Sequence, residues 1–265
     1  MKAAFVFPGQ GSQYVGMGRE LCEHFSCAKE IFSQASDAIG IDLMKICFYG
    51  PPEELNKTFR TQPCILTASM AIYSVIAEKN VTPSVVAGHS LGEYSALVAA
   101  GAIRFTDAVQ IAEKRGLLMQ EAVPEGRGLM AAILGLDREK VEDICSSVRS
   151  GYVAPANYNC PGQIVISGNR RGMEAAMAAL TAAGARKVVP LAVSIAAHSP
   201  LMQPAAEALR AAIDATTILP PQAPIIGNTT AQELTTVDAI RNELTAQLTG
   251  SVQWTASIQH MADVG

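Results

Sequence analysis

The chain has 265 residues, of which 49% are hydrophobic and 17% are charged. This composition allows a large core, and the formal net charge of −4 argues against nucleic acid as a partner. The apolar run at the N-terminus is too short for a signal peptide, and no run approaches the roughly 18 apolar residues of a membrane span. We therefore expect a cytoplasmic protein with no membrane contact.

The cysteines and histidines form no recognisable metal or disulfide pattern. Six cysteines occur at irregular spacing without a CxxC motif, and the four histidines lie far apart. We interpret the cysteines as reduced, mostly buried thiols, and we predict no metal site.

Predicted strands and helices alternate through the first 122 residues. Residues 3–7 and 85–87 are predicted strands, and helical patterns cover 16–38, 63–79 and 106–122. Pro63 is placed in the first turn of its helix, where a missing N–H is tolerated. This alternation favours a parallel sheet covered by helices on both faces.

The middle of the chain has a different order of elements. The predicted order is a strand at 130–136, a helix capped by Asp137, strands at 152–157 and 163–167, a helix at 173–183 and a strand at 186–191. The order βαββαβ is that of a ferredoxin-like unit. We predict that residues 127–193 form this small subdomain, inserted into a larger α/β subdomain made of residues 1–126 and 194–265. The final segment adds a helix to 215, a strand at 225–228 and helices at 237–248 and 254–262.

The most informative motif is Gly88-His89-Ser90-Leu91-Gly92, which lies between a predicted strand and a predicted helix. This is the arrangement of a nucleophile elbow, a sharp turn that exposes a serine. Glycines relieve the crowding of such a turn, and the helix N-terminus favours the negative charge of an acyl-transfer intermediate. The alternative is a glycine-rich turn with an incidental serine, which the flanking strand and helix disfavour.

A serine nucleophile needs a base, and His198 is the candidate that remains by elimination. His89 adjoins Ser90, so their side chains diverge, while His24 and His260 lie in helical patterns. A solvated loop histidine fits the position of His198 equally well. Because no acidic residue follows a strand just ahead of His198, we expect a backbone carbonyl to accept its Nδ1–H in a simple Ser–His pair.

Arg115 lies within the apolar stripe of the predicted helix 106–122, while Gln110, Glu113 and Lys114 lie on its polar side. A buried guanidinium needs an anionic or multi-acceptor partner. The pattern is equally compatible with an internal ion pair or snorkelling stem and with a bidentate clamp for a substrate carboxylate.

Five motifs occur in order along the chain: Pro8-Gly9-Gln10-Gly11-Ser12-Gln13, Gly88-His89-Ser90-Leu91-Gly92-Glu93-Tyr94, Arg115, His198-Ser199-Pro200-Leu201-Met202 and Val252-Gln253-Trp254. Together they resemble the malonyl-CoA:acyl-carrier-protein transacylases of fatty acid and polyketide synthesis, from residue 3 to the end. The resemblance implies an α/β-hydrolase-like large subdomain with a parallel sheet and an inserted ferredoxin-like small subdomain. It also implies transfer of a malonyl group from malonyl-CoA to the phosphopantetheine thiol of acyl carrier protein.

The resemblance assigns roles to the matching residues. Ser90 would be the acylated nucleophile and His198 its base. The backbone N–H groups of Gln10 and Leu91 would form the oxyanion hole. Arg115 would bind the malonyl carboxylate.

Two further glutamines are implied by the same resemblance. Gln253 would lie beside the active site, with its backbone carbonyl orienting His198. Gln62 would be a further pocket residue. Without the resemblance, both glutamines are compatible with ordinary loop or cap hydrogen bonding.

The implied partners are malonyl-CoA and acyl carrier protein, and we expect a monomer that needs no cofactor, since the CoA thioester and phosphopantetheine are substrates. Family members usually continue for some tens of residues past the position of Gly265, so we expect an incomplete C-terminus.

Ala197 departs from related polyketide acyltransferases, in which phenylalanine or serine often precedes the histidine. A serine hydrolase or thioesterase with the same elbow is the alternative function, and an inactive docking module for carrier protein is a third.

Overall fold

The computed structural model describes residues 3–124, 126–193 and 195–263. Residue 194, where the second segment of the large subdomain is predicted to begin, lies outside this range, as do residues 1, 2, 125, 264 and 265. The strands of the described residues are β1 (Ala4–Phe7), β2 (Val85–Gly88), β3 (Gly128–Leu134), β4 (Val153–Cys160), β5 (Gln163–Asn169), β6 (Lys187–Pro190) and β7 (Ile225–Ile226).

Helices separate most of the strands. They are α1 (Arg19–His24), α2 (Ser26–Ile39), α3 (Leu43–Tyr49), α4 (Pro52–Leu55), α5 (Thr58–Ala77), α6 (Gly92–Ala99), α7 (Phe105–Ala122), α8 (Arg138–Ser147), α9 (Arg170–Ala182), α10 (Gln203–Ala215), α11 (Val237–Ala246) and α12 (Trp254–Asp263). In the described part of the chain, no helix combines the length and apolar character needed to cross a bilayer.

The parallel sheet positions the candidate site. Its strand order is β1-β2-β7, with Phe7 beside Gly88 and Ala87 beside Ile226. The carboxyl ends of the three strands therefore lie next to one another at one edge of the sheet. In open α/β sheets this edge is where ligands bind. The predicted α/β class with a parallel sheet is confirmed.

The second sheet is antiparallel and has the order β4-β5-β3-β6. Together with α8 and α9 it gives the ferredoxin-like βαββαβ arrangement that the sequence predicts. Its separate core is formed by apolar residues that include Ile133, Ile166, Met173 and Leu180. The elements of this unit run from Gly128 to Pro190. The boundaries at 126/127 and 193/194 stay a prediction.

Hydrogen bonds join the two subdomains beside the elbow. In the backbone, the N–H of Tyr158 in β4 donates to the carbonyl of Val252 at 2.9 Å, and the N–H of Val252 donates to Ala156 at 2.8 Å. In the side chains, Nε2 of His89 lies 2.9 Å from Oδ1 of Asn159. The small subdomain is thereby held over the carboxyl edge of the parallel sheet.

Helix α5 differs from its prediction. It begins at Thr58, so Pro63 lies inside the helix rather than in its first turn. Proline there removes one N–H donor. Burial of the preceding turn, including Thr61 and Gln62, offsets that loss and extends the helix towards its N-terminus. This extension carries Gln62 into the interior.

We expect Gly92→Ala to destabilise the fold. A Cβ at this position would lie 2.2 Å from the carbonyl oxygen of Phe7, so β1 and α6 would have to separate. Overpacking of this kind costs about 1–3 kcal/mol. Urea denaturation measures the loss.

The matched control in the same helix is Ser95→Ala. Ser95 is buried, and its hydroxyl has no hydrogen-bond partner among the described residues, so its removal leaves the free energy of unfolding unchanged or slightly higher. Equal stability of Gly92→Ala and Ser95→Ala would contradict the close approach of β1 and α6.

Candidate active site

Ser90 occupies a strained turn between β2 and α6. Its φ of 51° lies in the left-handed region, which costs free energy for a residue with a Cβ and is common at functional sites. A Cβ on Gly88 would lie 1.8 Å from the carbonyl carbon of Gly92, so only glycine allows this turn. The backbone N–H of Ser90 donates to Oδ1 of Asn228, which follows β7, at 2.7 Å. The elbow is therefore fixed from the neighbouring strand.

His198 is the nitrogen base that faces Ser90. Its Nε2 lies 2.9 Å from the Ser90 Oγ, and its Nδ1 lies 2.7 Å from the backbone carbonyl oxygen of Gln247. Because a carbonyl only accepts, Nδ1 carries the proton and Nε2 is free to accept the serine proton. Burial, and after it the positive charge of Arg115, lowers the pKa of His198 to about 3. The imidazole is therefore neutral and ready to act as a base.

The prediction that Gln253 orients His198 is wrong. The Gln253 carbonyl accepts from the N–H and the hydroxyl of Ser257 in the first turn of α12, so it is already committed to a helix start. Gln247 follows the last residue of α11, where carbonyl groups have no intrahelical partner, and its carbonyl accepts from His198 instead. Among the described residues, Gln253 is joined to the site by its backbone N–H, which donates to the Asn228 carbonyl at 2.7 Å.

Arg115 is buried, with only 1% of its surface exposed, and its charge is directed at the nucleophile. One terminal nitrogen donates to Oε1 of Gln62 at 2.8 Å, and the other to Oε1 of Gln247 at 2.8 Å and to the Ser90 Oγ at 3.1 Å. Every one of these acceptors is neutral. Across the described ranges, no Asp or Glu side chain forms an ion pair with Arg115.

Gln62 was predicted to be a pocket residue, but it does not line the cavity. It accepts a hydrogen bond from Arg115 and so holds the guanidinium in place. It is fully buried, and its Nε2 lies 3.5 Å from the sulfur of Met119. Since it comes from α5 and Arg115 comes from α7, the bond between them fixes the guanidinium relative to two packed helices.

Gln10 and Leu91 present their backbone N–H groups next to the elbow. Gly9 packs so closely on His89 that a Cβ would lie 2.4 Å from its carbonyl oxygen, which brings the following residue, Gln10, to the turn. Leu91 directly precedes α6. Among the hydrogen bonds of the described residues, neither N–H has an acceptor. Both are available to a developing negative charge.

A cavity of about 210 Å³ contains the reactive groups. Gln10, Ser90, Arg115 and His198 line it on the side of the large subdomain, and Ala197 adds only a methyl group. The small subdomain contributes Asn157, Asn159, Gln163, Met130, Ala132 and Val165. The three residues on which the sequence hypothesis depends therefore surround one shared space.

Three side chains that hold the site together were not predicted from the sequence: Glu93, Asn228 and Gln247. All three are buried and hydrogen-bonded to one another or to the elbow. Two of them had a signal in the sequence. Glu93 is the only charge in the apolar stretch after the elbow, and Asn228 follows a strand of the parallel sheet. Gln247 had none, because its importance comes from where α11 ends in space.

This arrangement can activate a serine hydroxyl and hold an anion next to it. The Nε2 of His198 lies within reach of the Ser90 proton, and the N–H groups of Gln10 and Leu91, next to the turn, have no acceptor among the described residues. Arg115 supplies a full positive charge within hydrogen-bond distance of the serine oxygen. These are the requirements for acyl transfer from a donor that carries a negative group.

Comparison with known proteins gives the same answer. Residues 4–265 match the acyl transferase domain family. The chain is 49% identical over 264 residues to the malonyl CoA-acyl carrier protein transacylase of Escherichia coli strain K12, a match that covers 99% of this chain and 85% of the relative. The chain belongs to the malonyl-CoA:acyl-carrier-protein transacylase family. It is thus an acyltransferase, and the serine hydrolase alternative finds no support.

Solved structures of this family have the same fold. The malonyl CoA-acyl carrier protein transacylase of Coxiella burnetii superposes with a TM-score of 0.98 at 42% identity, covering 100% of this chain and 84% of the other. A malonyl-transacylase in complex with its type II PKS acyl-carrier protein superposes equally well, with a TM-score of 0.98, 46% identity and coverage of 100% and 86%.

The low pKa of His198 predicts an unusual pH dependence. We expect labelling of Ser90 by phenylmethanesulfonyl fluoride to keep its full rate down to about pH 4, because the imidazole stays neutral above its pKa. An unperturbed histidine would lose activity with a midpoint near 6.5. Arg115→Gln removes a nearby positive charge, so the pKa should rise and the acidic midpoint should move towards 6.5.

Intact-mass measurement of labelling against time, from pH 2.5 to 8, gives these midpoints. Circular dichroism at each pH confirms that the protein stays folded, and Ser90→Ala supplies the unlabelled baseline. A midpoint near 6.5 in the unsubstituted protein, or a downward shift in Arg115→Gln, would contradict the assignment.

Proposed function

We propose that the protein transfers a malonyl group from malonyl-CoA to the phosphopantetheine thiol of acyl carrier protein through a malonyl-serine at Ser90. The catalytic pair is Ser90 and His198, and the oxyanion hole is made by the N–H groups of Gln10 and Leu91. The relatives named as malonyl CoA-acyl carrier protein transacylases, and the related transacylase in complex with its acyl-carrier protein, support this choice of substrates.

The observation that carries the proposal is the charge of Arg115. Its guanidinium is buried beside the Ser90 Oγ, and the acceptors that it has among the described residues are all neutral. A buried charge without a counter-charge is costly, and a carboxylate that forms a bidentate pair relieves that cost. A malonyl group places such a carboxylate one carbon away from its thioester carbonyl. Acetyl and unsubstituted fatty acyl groups lack it.

The first half-reaction acylates the enzyme. The Ser90 oxygen attacks the thioester carbonyl carbon while its proton passes to Nε2 of His198. The negative charge on the carbonyl oxygen is stabilised by the N–H groups of Gln10 and Leu91. The carbon–sulfur bond then breaks, the sulfur of CoA takes the proton back from the imidazolium, and CoA leaves.

The second half-reaction repeats these steps with a different thiol. His198 accepts the proton of the phosphopantetheine thiol, and the sulfur attacks the malonyl-serine carbonyl carbon. The serine oxygen leaves with the proton from the imidazolium, which restores Ser90 and releases malonyl carrier protein. Ser90, His198 and the two thiols account for every bond and proton in both half-reactions. We therefore propose that no metal or other cofactor takes part.

We also propose that the protein acts as a monomer in the cytoplasm. The cysteines of the described residues are all free, and three of them are buried, which fits a reducing compartment. The active groups named above all come from one chain.

The function is tested in two stages. Incubation with malonyl-CoA should add one malonyl group to the protein by intact-mass measurement, and Ser90→Ala should abolish this adduct, because no oxygen nucleophile remains in the turn. Addition of holo acyl carrier protein should then move the group to the carrier.

The control variant is Ser95→Ala, which removes a nearby buried hydroxyl that faces no base. It should keep the adduct. A full adduct in Ser90→Ala refutes the nucleophile, and release of free malonate at the same rate with and without carrier protein refutes transfer.

The carboxylate clamp is tested by Arg115→Ala. We expect kcat/KM for malonyl transfer to fall roughly 100-fold, as for removal of one partner of a buried charge pair, and acetyl transfer to fall much less. Steady-state transfer to holo carrier protein from the two CoA thioesters measures both. Arg104→Ala, an exposed arginine that directly precedes the same helix, is the matched control and should change neither. Equal losses for malonyl and acetyl groups would contradict the clamp.

A further inference from the structure

Glu93 is a buried carboxylate that the proposed reaction does not use. It lies in the first turn of α6, three residues after Ser90, and none of its surface is exposed. One oxygen accepts from the backbone N–H of Asn228 at 3.0 Å and from its side-chain Nδ2 at 3.1 Å, and the other accepts from Nε2 of Gln247. All three bonds are accepted, as expected of an ionised carboxylate.

These bonds decide which way two amide side chains point. The Gln247 Nε2 donates to Glu93 and, at 3.0 Å, to the backbone carbonyl of Ser90, so its Oε1 must face Arg115. If the amide turned over, its NH₂ group would face the guanidinium, donor against donor. In the same way, the Asn228 Nδ2 donates to Glu93 and to the Gly88 carbonyl, which leaves Oδ1 for the N–H of Ser90.

The position of the Glu93 carboxylate also leaves Arg115 free to bind a substrate carboxylate. Glu93 is separated from Arg115 by the amide of Gln247, so among the described residues it does not form an ion pair with the guanidinium. A direct ion pair would compete with a substrate carboxylate for the same donors. Burial, and after it the negative charge of Glu243, raises the pKa of Glu93 well above its ordinary value, and the donors on Asn228 and Gln247 oppose that shift by stabilising the charged form.

We propose that Glu93 is a positioning residue for malonyl recognition: its carboxylate fixes the Gln247 amide, which in turn fixes Arg115 beside Ser90. This inference rests on the proposed function, since it concerns the acyl group that Arg115 selects. It assigns Glu93 no contact with substrate.

The test is Glu93→Gln, which keeps size and shape but turns one acceptor into a donor. The backbone N–H of Asn228 cannot reorient, so it holds the new carbonyl oxygen, and the new NH₂ group faces Gln247. The Gln247 amide then faces a donor at residue 93. If it turns over, it presents its NH₂ to Arg115, and if it keeps its orientation, it loses its bond to residue 93, so either response weakens the support of Arg115. We expect malonyl transfer to lose roughly 10- to 100-fold in kcat/KM, mainly through a higher KM, with acetyl transfer changed less than about threefold.

Glu243→Gln is the matched control. Glu243 is also a buried carboxylate, lies one turn before Gln247 and accepts from the N–H and hydroxyl of Thr229 at 2.7 and 2.6 Å. An amide satisfies both groups, because its oxygen accepts from the N–H and its NH₂ donates to the hydroxyl. The ratio of malonyl to acetyl transfer should therefore stay unchanged. If Glu243→Gln also lost malonyl transfer selectively, the effect would come from the loss of any buried charge, and the proposal would be overturned.

A double variant separates loss of folding from displacement of the Gln247 and Arg115 side chains. If Glu93→Gln does not fold, Glu93→Gln with Arg115→Met should fold, because the inverted amide no longer faces a guanidinium. Failure of both to fold, or equal losses of malonyl and acetyl transfer in Glu93→Gln, would overturn the role of Glu93. The proposed function fails on a different result, the absence of malonyl transfer by the unsubstituted protein.

Discussion

A positive charge buried beside the nucleophile is the constraint on which the site depends. The Arg115 guanidinium comes from α7, and its acceptors come from α5, from the end of α11 and from the elbow itself. A buried charge left without these bonds would cost several kcal/mol. The need to satisfy it therefore ties the docking of three helices and the elbow to a single geometry. Among the described residues, the groups that accept hydrogen bonds from this cation are neutral, which favours an anionic acyl group.

The sequence predicted the parts of this site that depend on local structure. The elbow was predictable because glycines, serine, strand and helix are contiguous, and Arg115 was predictable because its helical period places a charge on an apolar face. The backbone carbonyl partner of His198 was also predictable, since no acid follows a strand just ahead of this histidine. These features require no knowledge of distant contacts.

The rest of the site depends on where distant segments end in space. Gln247 orients His198 because α11 ends there with a free carbonyl, while Gln253, which carries the family resemblance, has its carbonyl committed to α12. Contacts between distant segments also determine where α5 begins. Local rules place Pro63 in the first turn, but tertiary burial of the preceding residues extends the helix to Thr58.

The carbonyl that replaces an acid also bears on the choice between transfer and hydrolysis. The end of a helix carries about half a negative charge, less than a carboxylate, and Arg115 further lowers the pKa of His198. The imidazole is therefore a weak base. An alkyl thiol such as that of Cys has a pKa of about 8.5, whereas that of water is about 15.7. A weak base thus deprotonates an incoming thiol far more readily than water, which favours transfer of an acyl group to a thiol over its hydrolysis.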